Sequence, residues 1–308
     1  MTDQRGILPK IWRKIAHFLI IFFILALVSC IHKQVPPAPT PVPPKPAKIA
    51  VVLGAGASKG FAHIGVLKEL ENHKIPIHMI VGTSAGSVVG CFYAYGYDAF
   101  RLQKMAMAIE KDDVIDWTIP NNGFIKGERL EQYINKSLRN TPIENLKIRF
   151  YAVATDFAVG EEVVFAAGNT GKAVRASCSI PGVFQPVKIS GKTYVDGGVV
   201  SPVAVDVARR YGADVIIAVD ISSGRDGTVP DGTIETILVS INIMYSKIAA
   251  CQLPKADVVI RPKVGYIGSS DMTKRHEAIL EGEKAAIEAM PAIQEIITRL
   301  RQEGRLQP

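Results

Sequence analysis

The chain has 308 residues, enough for one large α/β domain or two small ones, and its 48% apolar content is ample for a core. The net charge of +7 does not indicate nucleic-acid binding, because seven basic residues and one acid within residues 1–50 account for +6 of it. The four cysteines include no Cys-x-x-Cys pair, so the sequence predicts no zinc site. We expect Cys91, Cys178 and Cys251 to be buried free thiols, since all three have apolar or small neighbours.

A basic and then apolar leader opens the chain. Residues 1–14 are mixed and basic, and residues 15–29 form an uncharged apolar run of secretory length, shorter than the ~20 residues usual for a membrane-spanning helix. Cys30 follows Leu-Val-Ser, which resembles a bacterial lipobox whose cysteine is diacylated. We therefore expect a signal peptide over 1–29 and a lipid anchor at Cys30. The alternative is an uncleaved anchor helix that ends in a chance cysteine.

Residues 34–48 are dense in proline and favour an extended polyproline II spacer. With the lipidated cysteine, this predicts a linker over 30–48 and a folded domain over 49–308. Both versions of the leader place that domain at a membrane. Ile31 replaces the aspartate that resembles an inner-membrane retention signal, which favours the periplasmic face of the outer membrane in a bacterial cell envelope.

From Ile49 onward, apolar strands alternate with helices, which predicts an α/β domain with a mainly parallel sheet. The predicted strands cover 49–53, 77–81, 149–155, 162–166, 186–189, 192–195, 215–220 and 257–260. The predicted helices cover 61–72, 84–95, 99–110, 127–138, 172–177, 203–211, 233–252 and 274–301. We expect the last helix to be interrupted near Pro291 and residues 111–126 to form an irregular, mobile flap.

Gly82-Thr83-Ser84-Ala85-Gly86 lies between an apolar strand and a helix, which is the arrangement of a nucleophile elbow. Such a turn exposes the Ser84 hydroxyl, and Gly82 and Gly86 leave room for neighbouring backbone. The first amides of the following helix point toward the serine. Gly-x-Ser-x-Gly also occurs by chance, so the motif alone does not establish catalysis.

A glycine loop, Gly54-x-Gly56-x-x-x-Gly60, follows the first strand. It is not a dinucleotide fingerprint, because no acid ends the next strand, and it is not a Walker A loop. The other use of such a loop is an oxyanion hole, in which backbone amides converge on one point. Lys59 is expected to orient this loop or to neutralise a phosphate head group; a solvated lysine at a helix start is the alternative.

Asp196 ends a predicted strand and precedes Gly197-Gly198. Asp-Gly-Gly is also an ordinary turn sequence, so the aspartate by itself indicates little. Upstream, residues 176–184 form a block of small residues that ends in a proline-fixed turn.

Four blocks in this order resemble the patatin-like phospholipases over about residues 49–219: the glycine loop, Gly-Thr-Ser-Ala-Gly, Ala-Ser-x-Ser-x-Pro-x-x-Phe and Asp-Gly-Gly. The resemblance implies a three-layer αβα fold and a Ser–Asp dyad, with Ser84 as nucleophile and Asp196 as base and with neither cofactor nor metal. It places the oxyanion hole in the glycine loop, at Gly54, Ala55, Gly56, Lys59 and Gly60. This chain has Ala55 and Ala57 where the family usually has glycine, and Lys59 where arginine is common. These differences leave open which amides donate to the oxyanion.

The histidines fit a dyad, because none lies in the late loop where a Ser–Asp–His hydrolase carries its base. We expect His63 to be structural. The predicted function is hydrolysis of phospholipid or lysophospholipid esters at a membrane, with no nucleic-acid partner. The alternatives are a general esterase or thioesterase, and a non-catalytic lipid-binding scaffold of the envelope. The apolar face of the 233–252 helix either gathers acyl chains or, more simply, packs in the core.

Overall fold

The computed structural model describes residues 8–29, 44–119, 122–222, 224 and 229–306. It divides into two units, Met1–Pro43 and Pro44–Pro308. In the first unit, helix α1 covers Leu8–Ser29 and contains the apolar run of the leader. Cys30 lies outside the described residues, so its lipidation stays a prediction.

We predicted that the folded domain starts at Ile49. In the structure its contacts begin slightly earlier, at Ala47 and Lys48. Ala47 is buried, and its N–H donates a hydrogen bond of 2.8 Å to the Arg305 carbonyl. The Lys48 N–H donates to the Asp214 carboxylate at 2.9 Å. These contacts attach the end of the proline-rich linker to the domain.

The strands described in the second unit form one sheet of eight. They are β1 (Ile49–Leu53), β2 (Met79–Thr83), β3 (Arg149–Asp156), β4 (Glu161–Phe165), β5 (Val187–Ile189), β6 (Lys192–Asp196), β7 (Val215–Val219) and β8 (Val258–Ile260). Pairing links them in the order β5-β6-β3-β2-β1-β7-β8, and β4 pairs with β3. Strands β3, β2, β1, β7 and β8 pair in parallel, whereas β4, β5 and β6 pair antiparallel. The mainly parallel sheet that the sequence predicted is confirmed.

Helices cover both faces of this sheet. They are α2 (Ala62–Asn72), α3 (Ala85–Tyr95), α4 (Ala99–Ala108), α5 (Lys111–Val114), α6 (Glu128–Ser137), α7 (Thr170–Ser177), α8 (Val205–Arg210), α9 (Thr233–Gln252) and α10 (Arg275–Gln302). Alternate side chains of β1 enter different cores: Ile49, Val51 and Leu53 pack with α2, α3 and α10, whereas Ala50 and Val52 pack with α8. Because successive side chains of a strand point to opposite faces, this division confirms the three αβα layers.

Two glycines let α2 and α10 cross closely. A Cβ on Gly65 would lie 1.9 Å from the Ile279 carbonyl oxygen, and one on Gly282 would lie 2.0 Å from that of Ala62. The predicted interruption of α10 is wrong, because the helix runs unbroken through Pro291. Pro291 and Ile287 are both exposed, so water can bind the Ile287 carbonyl that the missing proline N–H leaves free.

The described residues of the 111–126 segment are more regular than predicted. They begin with the short helix α5, and Trp117 pairs with Ile125 in an isolated antiparallel bridge. The N–H groups of Phe124 and Ile125 both donate to the Val183 carbonyl, at 2.9 and 3.0 Å. The segment is therefore attached to the turn that ends the small-residue block, and its mobility stays a prediction.

Helix α9 is only partly covered by the domain. Among the described residues, Thr233–Lys255 is the helical stretch long and apolar enough to cross a membrane; an 18-residue window of it has a mean hydropathy of 1.3, and 28% of that window is buried in the protein. A single helix of this kind is weak evidence for a membrane span, since core helices of soluble proteins share these properties. Near its end Cys251 is exposed, which corrects the expectation of a buried thiol; Cys91 and Cys178 are buried as expected.

Candidate active site

Ser84 is the single residue between β2 and α3, and its backbone is strained. Its φ of 53° and ψ of −123° lie in a region that residues with a side chain rarely adopt. A Cβ on Gly82 would come within 2.5 Å of the Ser87 Cα, and one on Gly86 within 2.0 Å of the Leu53 carbonyl oxygen. The two glycines thus permit the tight strand-to-helix turn of a nucleophile elbow.

Strand β3 brings Asp196 to this serine. Thr83 at the end of β2 pairs with Val153, and Asp196 at the end of β6 pairs with Ala154, the next residue of β3. Strand β4 pairs with one edge of β3 along residues 152–156, so β2 and β6 must both pair with the opposite edge. The ends of β2 and β6 therefore lie side by side. The Ser84 Oγ consequently donates a hydrogen bond of 2.6 Å to Asp196 Oδ2, across 112 residues of sequence.

The Asp196 carboxyl is completely buried, and this changes its acidity. Desolvation raises its pKa to about 6, although hydrogen bonds from Ser84 and Gly198 oppose the shift. The Gly198 N–H donates to Oδ1 at 2.7 Å, which orients the carboxyl so that Oδ2 faces the serine. A carboxylate of this kind is a stronger base than an exposed aspartate and is ionised above about pH 6.

The small-residue block supports the serine backbone. Ser177, the last residue of α7, accepts a hydrogen bond from the Ser84 N–H at 2.9 Å and donates one to the Val153 carbonyl at 2.6 Å. The block is recognisable in the sequence, but no sequence signal distinguishes Ser177 from its small neighbours. Cys178 follows it, and burial together with the negative charge of Asp196 raises the pKa of this thiol, which is therefore neutral.

The glycine loop supplies fewer free amides than the sequence predicted. The Gly54 N–H donates to the Val219 carbonyl at 3.1 Å, and the Ala55 N–H donates to the Pro202 carbonyl at 2.9 Å. We therefore correct the expectation for these two residues, because their amides hold the loop in place. Among the described residues no acceptor takes the Gly56 N–H, which keeps this amide as a candidate oxyanion donor.

The remaining loop residues are buried. Gly60 packs on the start of α3, where a Cβ would lie 2.6 Å from that of Ala85. Lys59 has only 3% of its surface exposed, so it is not the solvated lysine of the alternative interpretation. His63 is fully buried, and its Nε2–H donates to the Gly54 carbonyl at 2.8 Å. Burial lowers the pKa of His63 to about 4, so this histidine is neutral and fixes the loop.

The dyad is closed to solvent, with 2% of Ser84 exposed and none of Asp196. The cover comes partly from α9, whose Tyr245 ring contacts Gly198. Beside it, a small apolar cluster joins the 111–126 segment, the 180–184 turn and α9 through Ile125, Ile180, Val183 and Leu238. Within the described residues, no group of three His, Cys, Asp or Glu side chains is arranged to hold a metal ion.

The family model of patatin-like phospholipases matches residues 51–209, slightly more than half of the chain. This protein belongs to the patatin-like phospholipase family. Its curated relatives include lysophospholipase nte1 of Aspergillus oryzae, 32% identical over 235 residues, which are 74% of this chain and 15% of the fungal protein. The NTE family protein MT2641 of Mycobacterium tuberculosis is 28% identical over 279 residues, 81% of this chain and 47% of that protein. The chain thus spans a small part of the fungal relatives' length.

The fold has a solved counterpart in VipD from Legionella pneumophila. That structure matches with a TM-score of 0.55 at 12% identity and covers 82% of this chain and 67% of VipD. The patatin match contains the glycine loop, Ser84 and Asp196, and it ends before α9. Helix α9 lies beyond the segment that the family model matches.

Proposed function

We propose that this protein is a membrane-tethered serine acyl hydrolase that cleaves the carboxylic esters of phospholipids or lysophospholipids. The observation that carries the proposal is the 2.6 Å hydrogen bond from the Ser84 hydroxyl to the buried Asp196 carboxylate. The lysophospholipase names of the fungal relatives support the substrate class.

The dyad geometry supports acylation followed by hydrolysis. The Ser84 Oγ attacks the ester carbonyl carbon while its proton passes to Asp196 Oδ2. The tetrahedral oxyanion then needs amide donors, for which the Gly56 N–H and the Ala85 N–H, the first amide of α3, are the candidates. As the C–O bond breaks, the leaving alkoxide takes the proton from Asp196 and departs as an alcohol.

The second half reaction uses the same carboxylate. Asp196 accepts a proton from a water molecule as that water attacks the acyl-serine. When the second tetrahedral intermediate collapses, Asp196 returns this proton to the Ser84 Oγ and the fatty acid leaves. The dyad gives one proton to the leaving alcohol during acylation and regains one from water during deacylation. Burial of Asp196 favours this chemistry, because it raises the basicity of the carboxylate.

Fatty-acid release by the full-length protein in detergent tests this proposal. The panel contains lysophosphatidylcholine, diacyl phospholipids, p-nitrophenyl esters and acyl thioesters, and the variants are Ser84→Ala, Asp196→Asn and, as a matched control away from the dyad, Ser137→Ala. We expect hydrolysis of the lipid esters by the wild type and the control, and its loss in both dyad variants. Activity confined to p-nitrophenyl esters or thioesters would favour the esterase or thioesterase alternative, and a folded but inactive wild type would favour a scaffold.

We further propose that the leader tethers the domain through diacylated Cys30 to the periplasmic face of a bacterial outer membrane. The apolar helix Leu8–Ser29 directly ahead of this cysteine supports the proposal. Expression in a bacterium with radioactive palmitate, for the wild type and Cys30→Ala, tests it. Label that depends on Cys30, followed by recovery in the outer-membrane fraction, is expected. Membrane retention without label would instead identify an uncleaved anchor helix.

A further inference from the structure

A tyrosine on α9 has an unpaired hydroxyl next to the dyad. Tyr245 is 3% exposed, and among the described residues its Oη has no hydrogen-bond partner. Buried tyrosine hydroxyls normally find a partner, so each exception calls for a physical reason. Tyr245 lies outside the segment that the family model matches, so the family resemblance assigns it no role.

The backbone of the Asp196 turn holds this ring in place. A Cβ on Gly198 would lie 2.3 Å from the Tyr245 Cζ and 2.8 Å from its Oη, so the phenol rests directly on this glycine. The N–H of the same glycine orients the Asp196 carboxyl. The Tyr245 hydroxyl forms no hydrogen bond of normal geometry, yet it lies close enough to this carboxyl to act as a donor toward it, which lowers the pKa of Asp196.

The ionisable groups that face Asp196 are the phenol of Tyr245 on α9 and the thiol of Cys178 at the end of α7. Burial and the negative charge of Asp196 raise the pKa of both groups, so both are neutral at the pH values at which the enzyme works. Of the two, the phenol is the stronger hydrogen-bond donor and the one without a partner.

Acylation removes a donor from Asp196. In the free enzyme Oδ2 accepts the Ser84 hydroxyl and Oδ1 accepts the Gly198 N–H. Once Ser84 carries an acyl group it has no proton to donate, and the buried carboxylate keeps a single partner. A buried ionised carboxylate with so few donors is costly and tends to take up a proton, which would stop it acting as a base toward water.

We propose that Tyr245 is a positioning residue that donates a hydrogen bond to the Asp196 carboxylate in the acyl-enzyme, when Ser84 no longer can. This inference rests on the proposed function, since it assigns the tyrosine a part in the second half reaction. It gives the unpaired hydroxyl a reason: Tyr245 already lies beside the Asp196 carboxyl in the free enzyme, and its hydrogen bond to the carboxylate is fully formed during turnover.

The test compares the full-length wild-type protein with its Tyr245→Phe variant, using p-nitrophenyl esters as substrates. The matched control is Tyr133→Phe, which removes a half-buried tyrosine hydroxyl away from the dyad. Stopped-flow kinetics separate acylation from deacylation. We expect Tyr245→Phe to slow deacylation about 10- to 100-fold, the usual range for losing a hydrogen bond to a charged group, and acylation less, so that a burst of nitrophenol appears. The acidic limb of its deacylation rate should move to higher pH. Tyr133→Phe should match the wild type.

A second variant guards against a simple packing defect. Replacement of Tyr245 by 3-fluorotyrosine keeps the ring and makes the hydroxyl a stronger donor, so the acidic limb should move to lower pH. Opposite shifts in the two variants support the inference, because loss of packing cannot produce them. Unchanged deacylation and pH profiles in a folded Tyr245→Phe variant would overturn it while leaving the hydrolase intact. Absence of Ser84-dependent turnover in the wild type would instead overturn the proposed function, and this inference with it.

Discussion

Replacement of Asp196, the proposed base, should abolish activity and at the same time stabilise the protein. The Asp196 carboxyl is fully buried, and desolvation raises its pKa from an ordinary 3.8 to about 6. A pKa shift of about two units means that the ionised Asp196 side chain lowers the free energy of unfolding by about 3 kcal/mol. Asp196→Asn removes the charge, keeps an acceptor for the Gly198 N–H and offers its amide to the Ser84 oxygen.

The pH dependence gives this prediction its sign. Because the folded-state pKa is above the unfolded value, the contribution of Asp196 to stability is full below about pH 3.8 and is lost as the pH rises through about 6. Asp196→Asn does not titrate. It should therefore match the wild type near pH 4 and exceed it at pH 7.5 by up to about 3 kcal/mol, or about 5–10 °C in melting temperature.

Thermal unfolding followed by near-ultraviolet circular dichroism, with both full-length proteins in the same detergent between pH 4 and 8, measures this difference. Other titrating groups contribute equally to both proteins and cancel. An Asp196→Asn variant that is less stable than the wild type at pH 7.5, or whose advantage does not depend on pH, would refute the reasoning.

Three further predictions follow from single contacts. Gly282→Ala places a Cβ 2.0 Å from the Ala62 carbonyl oxygen. In a denaturant titration it should lower the free energy of unfolding by about 1–3 kcal/mol or more. Ser177→Ala leaves the buried Ser84 N–H unpaired, so we expect a stability loss of about 1–3 kcal/mol together with a lower kcat. The kcat/KM of the wild type should fall below about pH 6, because Asp196 must be ionised to accept a proton; a flat profile from pH 5 to 8 would contradict this.

The sheet and the dyad were predictable because their signals are local. Fully buried strands such as Ile49–Leu53 are continuous apolar runs, and five residues around Ser84 carry the requirements of the elbow. Asp196 was identified by its place in an ordered set of motifs. The sequence does not show why the two residues meet; the reason is that β2 and β6 pair with consecutive residues of β3.

Features that depend on distant partners were not predictable. The Gly54 and Ala55 amides are taken by carbonyls of Val219 and Pro202, which are more than a hundred residues away and carry no motif. Tyr245 reads as one apolar position among many on α9, since helical periodicity does not report that its hydroxyl reaches the dyad. Pro291 was misjudged because a proline is tolerated where solvent can bind the carbonyl that it leaves free.

Labelling with a fluorophosphonate probe tests most directly that Ser84 is an activated nucleophile. We expect that the folded wild-type protein reacts, that peptide mass spectrometry finds the adduct on Ser84, and that Ser84→Ala does not react at all. Labelling that persists in Ser84→Ala, or a folded wild type that never reacts, would contradict it.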